Sequence, residues 1–215
     1  MVECNEAQRI EAAVKELGMA GFSVCTGIIP VNLSATLVTE QRRREDAGEM
    51  VVARVGRGGA QSDRSRERQT QSSWFNDQSE AERHFLDFAE RVRLAINRRL
   101  MLGLFAFEAQ FLLYPPGGFY RRHIDALHGE RARVVSLIAY LNADWTSGDG
   151  GELVIWAGNG EGGSVQEVMP LAGTMVLMLS EEIPHEVRVA HRERRAVAGW
   201  FRVNAFSAQP TNPVR

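Results

Sequence analysis

Two histidines and one aspartate are the residues of this 215-residue chain whose spacing suggests metal chemistry. His123 and Asp125 are separated by a single residue, and His185 follows Pro184 much later in the chain. Side chains point alternately to the two sides of a strand, so His123 and Asp125 would share one side. A second strand must then bring His185 to the same point. Two histidines and a carboxylate are the ligands of the facial iron(II) site, whose open coordination positions favour catalysis over structural support.

A cation follows the second histidine within the same stretch of predicted strands. Arg194 begins an alternation of small and aromatic residues, Ala196, Ala198 and Trp200. One strand face would therefore carry a fixed guanidinium beside the metal, suited to binding a carboxylate through two parallel hydrogen bonds. Arg195 is the competing candidate. The charged run 191–195 that contains both arginines is also typical of a solvated face.

Composition limits the possible classes of protein. The chain is 44% hydrophobic, which is enough for a full core, and its net charge of −2 predicts no bulk attraction to nucleic acid or anionic membranes. Cys4 and Cys25 form no metal motif and no disulfide framework. There is no signal-peptide pattern at the N-terminus and no apolar run near the ~20 residues of a membrane span. We therefore expect a cytoplasmic protein with no nucleic-acid or membrane partner.

The chain changes from helical to strand periodicity near its middle. Helices are predicted over 5–17, 33–47 and from Ser79 to Gly103, with a short strand over 21–26. Residues 104–206 predict many short strands, near 105–113, 119–125, 133–142, 152–157, 173–180, 185–190 and 194–206. A single domain over 1–215 is expected, with helical support over 1–103, a mobile loop at about 54–73 and the β core over 104–206. The fold class is mostly β with flanking α (α+β), a two-sheet sandwich supported by helices.

The motifs resemble those of the iron(II)/2-oxoglutarate-dependent oxygenases. The match is closest to prolyl 4-hydroxylases of the hypoxia-inducible-factor type and their bacterial relatives. It rests on Tyr114-Pro115, Tyr120-Arg121-Arg122-His123-Ile124-Asp125, residues 133–145, Gly150-Gly151-Glu152-Leu153, His185-Glu186-Val187 and Arg194-x-Ala-x-Ala-x-Trp200. It is strong over about 104–206 and weak before that. The fold it implies is a double-stranded β-helix (jelly-roll, cupin-like), which agrees with the predicted sandwich.

The resemblance also implies roles for individual residues. Iron(II) would be held by His123, Asp125 and His185. The distal carboxylate of 2-oxoglutarate would bind Arg194 and Tyr140, with Tyr114 near its metal end, and Arg133 would lie on the substrate side. The implied reaction consumes O2 and converts 2-oxoglutarate to succinate while hydroxylating an unactivated C–H bond, with ascorbate as a candidate reductant.

The arginine-rich segment from Arg54 to Arg68, before the third predicted helix, has two interpretations. It could be a solvated connector, or the loop that closes over a peptide in prolyl hydroxylases. Arg68 and Trp74 fit that family's loop pattern and would then contact the substrate. Thr70 stands where the family pattern has an acidic residue, a departure that weakens the analogy.

Several functions remain open at this stage. The first is hydroxylation of a prolyl residue in a protein substrate, with translation-machinery proteins as candidate targets because bacterial and fungal relatives act on them. The second is hydroxylation of a free amino acid or other small metabolite. A nucleic-acid demethylase is disfavoured by the neutral composition. A non-catalytic sensor is disfavoured by the complete ligand set, and a zinc hydrolase has no need for Arg194 and Tyr140.

Overall fold

The computed structural model describes residues 5–52, 67–126, 133–157 and 164–203. These ranges contain three α-helices, α1 (Glu6–Ala20), α2 (Val31–Asp46) and α3 (Glu80–Leu100). They also contain eleven strands: β1 (Phe22–Cys25), β2 (Val51–Val52), β3 (Gln71–Trp74), β4 (Ala106–Tyr114), β5 (Tyr120–His123), β6 (Arg133–Tyr140), β7 (Leu153–Ala157), β8 (Ser164–Val168), β9 (Met175–Leu179), β10 (His185–Val187) and β11 (Arg194–Arg202).

The strands form two antiparallel sheets. The larger has the order β1-β9-β6-β11-β4-β3-β2 and the smaller the order β5-β10-β7-β8. Crossovers between non-consecutive strands, with both sheets contributing to a shared interior, give the double-stranded β-helix. The predicted fold class, mostly β with flanking helices, is confirmed.

The larger sheet is buried on both faces. One face packs on the helices, where Val197 and Phe201 of β11 join Phe85 and Phe88 of α3 in the larger hydrophobic core. The other face joins Leu153 and other residues of the smaller sheet in a second core. Burial on both faces explains why the central strands β6 and β9 are almost continuously apolar.

Helix α1 is longer than the sequence pattern predicts. The helix starts with a capping box formed by Asn5 and Gln8, and it continues beyond the predicted end at residue 17. The helix ends at Gly21, which has a left-handed backbone (φ 78°) and donates its N–H to the Leu17 carbonyl. A methyl group at Gly18 would meet Leu100 Cδ2 at 2.6 Å, so the Leu100 side chain would have to move to accept it.

Helix α3 begins as predicted but ends earlier. The Ser79 hydroxyl accepts from the Glu82 N–H, whereas the Glu82 carboxylate pairs with buried Arg44 instead of completing a capping box. Met101 caps the C-terminus in the left-handed region (φ 52°), two residues before the expected Gly103.

The prediction of a mobile loop over 54–73 is wrong for the last residues of that range. Residues 54–66 lie outside the described residues, but Gln71–Trp74 forms strand β3 against β4. Polar residues form this strand because α2 supplies a partner for them. Arg44 donates to the Ser73 hydroxyl (2.9 Å) and to the Trp74 carbonyl (2.6 Å). Strand β8 was not predicted at all.

Candidate active site

The two histidines and the aspartate meet at one end of the smaller sheet. His123 at the end of β5 lies directly opposite His185 at the start of β10. Asp125 Oδ1 is 3.6 Å from His123 Nε2 and 3.8 Å from His185 Nε2. One potential ligand atom from each residue lies within 4.8 Å of the others, a spacing that fits a single metal ion.

Hydrogen bonds orient both imidazole rings. His123 Nδ1 lies 2.7 Å from the Arg121 carbonyl, and His185 Nδ1 lies 3.0 Å from the Ile183 carbonyl. A ring nitrogen beside a carbonyl must carry the proton, so the Nε2 lone pair of each ring is available to a metal. Burial lowers the pKa of His185 below its usual value, although Asp125 opposes this shift, and so favours the neutral form that ligates metals.

Asp125 is held from the larger sheet. Ser136 Oγ on β6 lies 2.6 Å from Asp125 Oδ2 and 2.9 Å from Ser180 Oγ. Burial opposes ionisation of Asp125, but His185, His123 and the Ser136 hydroxyl together hold its pKa well below the usual range. Oδ2 is thus occupied and Oδ1 faces the histidines. Two neutral nitrogens and one carboxylate oxygen suit iron(II). Ser136 was not among the predicted site residues, although a serine inside an apolar strand is a signal.

The inner face of the larger sheet forms the floor of the site. Paired residues on neighbouring antiparallel strands point to the same face. The register places Arg194 opposite Tyr114 at one end of this floor, and Trp200 opposite both Glu108 and Ser136 at the other. Ala196 and Ala198 lie between them on β11 and leave room above the sheet. The floor therefore has two chemically different ends, with Ser136 linking it to Asp125.

The first end is a buried cationic pocket. Arg194 is 1% exposed, and its Nε donates to the Gly151 carbonyl at 2.7 Å. Its Cζ lies 4.8 Å from the Tyr114 ring centroid and 5.1 Å from that of Tyr140. Within the described ranges, neither Arg194 Nη2 nor the Tyr140 hydroxyl has a hydrogen-bond partner.

A ligand carboxylate would satisfy both of these groups. A buried guanidinium without an anion is costly, and so is a buried hydroxyl without a partner. Burial raises the pKa of Tyr140, with Arg194 partly opposing, so its hydroxyl remains a donor. Gly151 (φ 69°) is needed here, because a Cβ would come within 3.0 Å of Arg194 Cδ. The pocket thus fits the distal carboxylate of 2-oxoglutarate.

The competing arginine lies on the other side of the sheet. Arg195 Nη1 donates to Glu45 of α2 at 2.6 Å, and its Nη2 donates to Glu193 at 2.8 Å. Of the two neighbouring arginines, only Arg194 is on the site face.

The second end of the floor is an aromatic wall covered by a cation. Arg133 Cζ lies 3.8 Å from the Trp200 ring centroid and 6.0 Å from that of Trp74. The two indole centroids are 6.0 Å apart. The structure therefore brings together Arg133 and Trp74, which the resemblance assigned to the substrate, and adds Trp200, which had been given no role at the site.

Arg68 lies beside the metal ligands instead of at this wall. Its Cζ is 4.6 Å from the Tyr120 ring centroid, and Tyr120 stacks on His123 at 3.5 Å with an interplanar angle of 19°. Burial raises the pKa of Tyr120 to about 12, so the stacked phenol is neutral. The Thr70 hydroxyl donates to the Leu113 carbonyl at 3.0 Å and is therefore already satisfied within the protein. Tyr120 was part of the recognised motif but had been given no role.

Comparison with known proteins agrees with the fold and the site. A family model described as the 2OG-Fe(II) oxygenase superfamily matches residues 109–202. A crystal structure of a Pseudomonas putida prolyl-4-hydroxylase is 40% identical, with a TM-score of 0.82, covering 91% of this chain and 99% of that one. A Trichoplax adhaerens prolyl hydroxylase, in complex with a hypoxia inducible factor oxygen degradation domain peptide fragment, is 22% identical, with a TM-score of 0.84, covering 95% and 94%. A Phytophthora capsici prolyl 4-hydroxylase is 19% identical, with a TM-score of 0.70, covering 95% and 66%.

The fold and the site define an iron(II)- and 2-oxoglutarate-dependent oxygenase, which uses dioxygen as its second substrate. Within that superfamily, the chain belongs to the prolyl 4-hydroxylase family, and its reaction is prolyl hydroxylation. None of the helices in the described part of the chain has the length and apolarity needed to span a membrane.

Proposed function

We propose that this prolyl hydroxylase acts on a proline within a polypeptide, bound between the metal ligands and the wall formed by Trp200, Arg133 and Trp74. The single observation that carries this proposal is the two-ended floor. A buried cationic pocket lies at one end. At the other end, partly exposed Arg133 and Trp74 lie against buried Trp200, and Ser136 connects this part of the floor to Asp125.

We assign His123, Asp125 and His185 as the ligands of iron(II), and Arg194 and Tyr140 as the donors to the distal carboxylate of 2-oxoglutarate. We also assign Tyr114, which packs on the Arg194 guanidinium, to the metal end of the co-substrate. Bound together, iron(II) and 2-oxoglutarate use dioxygen to replace a C–H hydrogen with hydroxyl, releasing succinate and carbon dioxide.

The protein contributes by positioning the co-substrate and the metal ligands and by excluding water from the reacting atoms. Arg194 and Tyr140 fix one end of the co-substrate through groups that are already desolvated and oriented. Ser136 fixes the aspartate so that Oδ1 faces the histidines. The apolar second core around this site keeps water from the reacting atoms.

A polypeptide substrate is supported by the openness of the aromatic end. The Arg133 side chain is 31% exposed and Trp74 is partly exposed, so a chain could continue past a bound prolyl ring. The Trichoplax adhaerens relative binds a peptide fragment. We further propose a cytoplasmic protein, with a translation-machinery target and with Arg68 and Trp74 contacting it. A free amino acid or other small metabolite is the alternative substrate.

The first test is anaerobic binding. Fe(II) and 2-oxoglutarate added together to the protein should give the weak visible charge-transfer band of a chelated keto acid, and His123→Ala should not. Lack of the band in folded, metal-loaded wild type would contradict the assigned ligands.

The second test separates the two substrate classes. Cell extract and a mixture of free amino acids are each incubated with enzyme under isotopically heavy dioxygen, with His123→Ala as the control. Heavy oxygen in prolyl residues of extract proteins supports the polypeptide substrate. Label confined to free amino acids would replace it with the alternative.

A further inference from the structure

Glu108 is the acidic side chain of the aromatic wall, and neither its position in the sequence nor the family motifs suggest a role for it. It lies on the site face of β4, directly opposite Trp200 of β11. Glu108 Oε1 accepts from Arg133 Nε at 2.8 Å, and Glu108 Oε2 accepts from Arg202 Nη1 at 2.8 Å. One carboxylate therefore joins two arginines at the end of the floor.

Arg133 reaches this face only because of a β-bulge. In regular alternation it would share the helix-facing side of β6 with Val135 and Leu137, which lie in the larger core. The register with β11 shifts between Phe201, opposite Val135, and Arg202, opposite Arg133. The extra residue, Val134, packs on the larger core. A bulge re-aims the residue beside it, and here it turns Arg133 onto Trp200.

The bulge also places two like charges opposite each other. Arg133 and Arg202 are partners across β6 and β11, an arrangement that is unfavourable without a shared anion. Glu108 supplies that anion with one oxygen for each guanidinium. Arg133 is bound through Nε, so its plane can lie over the indole while its terminal nitrogens form no hydrogen bond to any part of the chain that the structure describes.

We propose that Glu108 is a positioning residue for substrate selection, a proposal that rests on the function proposed above. It holds the Arg133 guanidinium over the Trp200 ring and lowers the positive charge of the wall. The wall then takes an uncharged prolyl unit, by stacking and by hydrogen bonds from Arg133 to a carbonyl, in preference to a carboxylate. Without Glu108, two uncompensated arginines would recruit anions instead.

The test compares two small probes that differ in one charge. Acetyl-L-prolinamide is neutral and acetyl-L-proline is anionic at neutral pH. Their binding to Mn(II)- and 2-oxoglutarate-loaded, anaerobic protein is followed by paramagnetic relaxation of the probe protons, which reports both the Kd and proximity to the metal. Wild type is expected to prefer the amide.

The decisive variant is Glu108→Gln, which should shift the ratio of the two Kd values by about fivefold or more toward the carboxylate probe, while the Kd of 2-oxoglutarate stays unchanged. Glu108→Asp should retain most of the wild-type preference. Glu167→Gln is the matched control, because Glu167 pairs with Arg188 in the smaller sheet and should leave the ratio unchanged.

The outcomes separate the two proposals. An unchanged ratio in Glu108→Gln, with wild-type circular dichroism, overturns the role of Glu108 while leaving prolyl binding intact. If neither probe approaches the metal in wild type, the wall is not the prolyl site, and the proposed function fails together with this inference.

Discussion

The two ends of the site floor each carry an arginine on an aromatic surface, yet the two arginines differ in every other respect. Arg194 is buried and has no carboxylate partner in the described part of the chain, whereas Arg133 is partly exposed and paired with Glu108. A buried cation lacking an anion favours an anionic ligand, because the ligand removes the cost of an unpaired charge. A paired and stacked cation provides a shaped surface with hydrogen-bond donors. On the proposed assignment, similar side chains would therefore serve a dianionic co-substrate at one end and an uncharged residue at the other.

The largest expected effect comes from removing the unpaired cation. Arg194→Ala should raise the KM for 2-oxoglutarate about 100-fold or more, because a buried charged hydrogen-bond pair is lost. Steady-state kinetics across 2-oxoglutarate concentrations measures this. Arg195→Ala is the matched control, since Arg195 pairs with Glu45 on the helix side. Equal effects of the two variants would show that the choice of Arg194 from the alternation of side chains along β11 is wrong.

A smaller effect is expected at the metal ligands. Ser136→Ala removes the hydrogen bond to Asp125 Oδ2 and should weaken Fe(II) or Co(II) binding by about 10–100-fold. Calorimetric titration of the metal-free protein gives the affinity. Ser23→Ala is the control, because Ser23 is another fully buried serine of the larger sheet, and its hydroxyl has no partner among the described residues. A metal affinity lowered equally by both variants would point to general loosening of the sheet.

Tyr140→Phe tests the neutral member of the cationic end. Loss of one hydrogen bond to a charged ligand should raise the KM for 2-oxoglutarate about tenfold, less than the loss of Arg194. The affinity for the neutral prolyl probe should stay at the wild-type value. If the probe affinity changed and the 2-oxoglutarate KM did not, the assignment of the two ends would be reversed.

The smallest effect is expected at the paired cation. Arg133→Ala removes a guanidinium stacked on Trp200 and should weaken acetyl-L-prolinamide binding by about fivefold, with no change for 2-oxoglutarate. Arg188→Ala, at the exposed pair with Glu167, provides the comparison. If the KM for 2-oxoglutarate rose as much in Arg133→Ala as in Arg194→Ala, the two ends would not have the different roles proposed for them.

Local pattern predicted the parts of this molecule that depend on nearby residues. The spacing of His123 and Asp125 and the motif around His185 brought the three metal-ligand candidates to notice, and the structure places them together. The alternation of side chains along the strand favoured Arg194 over Arg195, and it holds because β11 pairs with β4 without interruption from Arg194 to Phe201. The two-sheet sandwich was predicted from the change of the apolar pattern, after residue 103, from helical to strand periodicity.

Contacts between residues far apart in the chain could not be predicted from the local sequence pattern. Strand β3 was assigned to a loop because its buried polar residues depend on Arg44, which belongs to α2. Ser136 and Glu108 were missed because each acts through a residue on another segment of the chain. Alternation alone would place Arg133 on the helix side of β6, since a bulge leaves little trace in a single sequence. The resemblance to prolyl hydroxylases supplied what the pattern could not.

The way in which Asp125 is held has a consequence for unfolding. The histidines belong to the smaller sheet, while the aspartate is tied to Ser136 and Ser180 of the larger sheet and its loops. A bound metal would therefore cross-link the two sheets at the open end of the sandwich, adding about 2.7 kcal/mol of stability at a hundredfold excess over its Kd. A chelator would then act as a local denaturant. Amide hydrogens of β5 and β10 would exchange faster after chelation, while those of α3, packed on the far side of the larger sheet, would keep their protection.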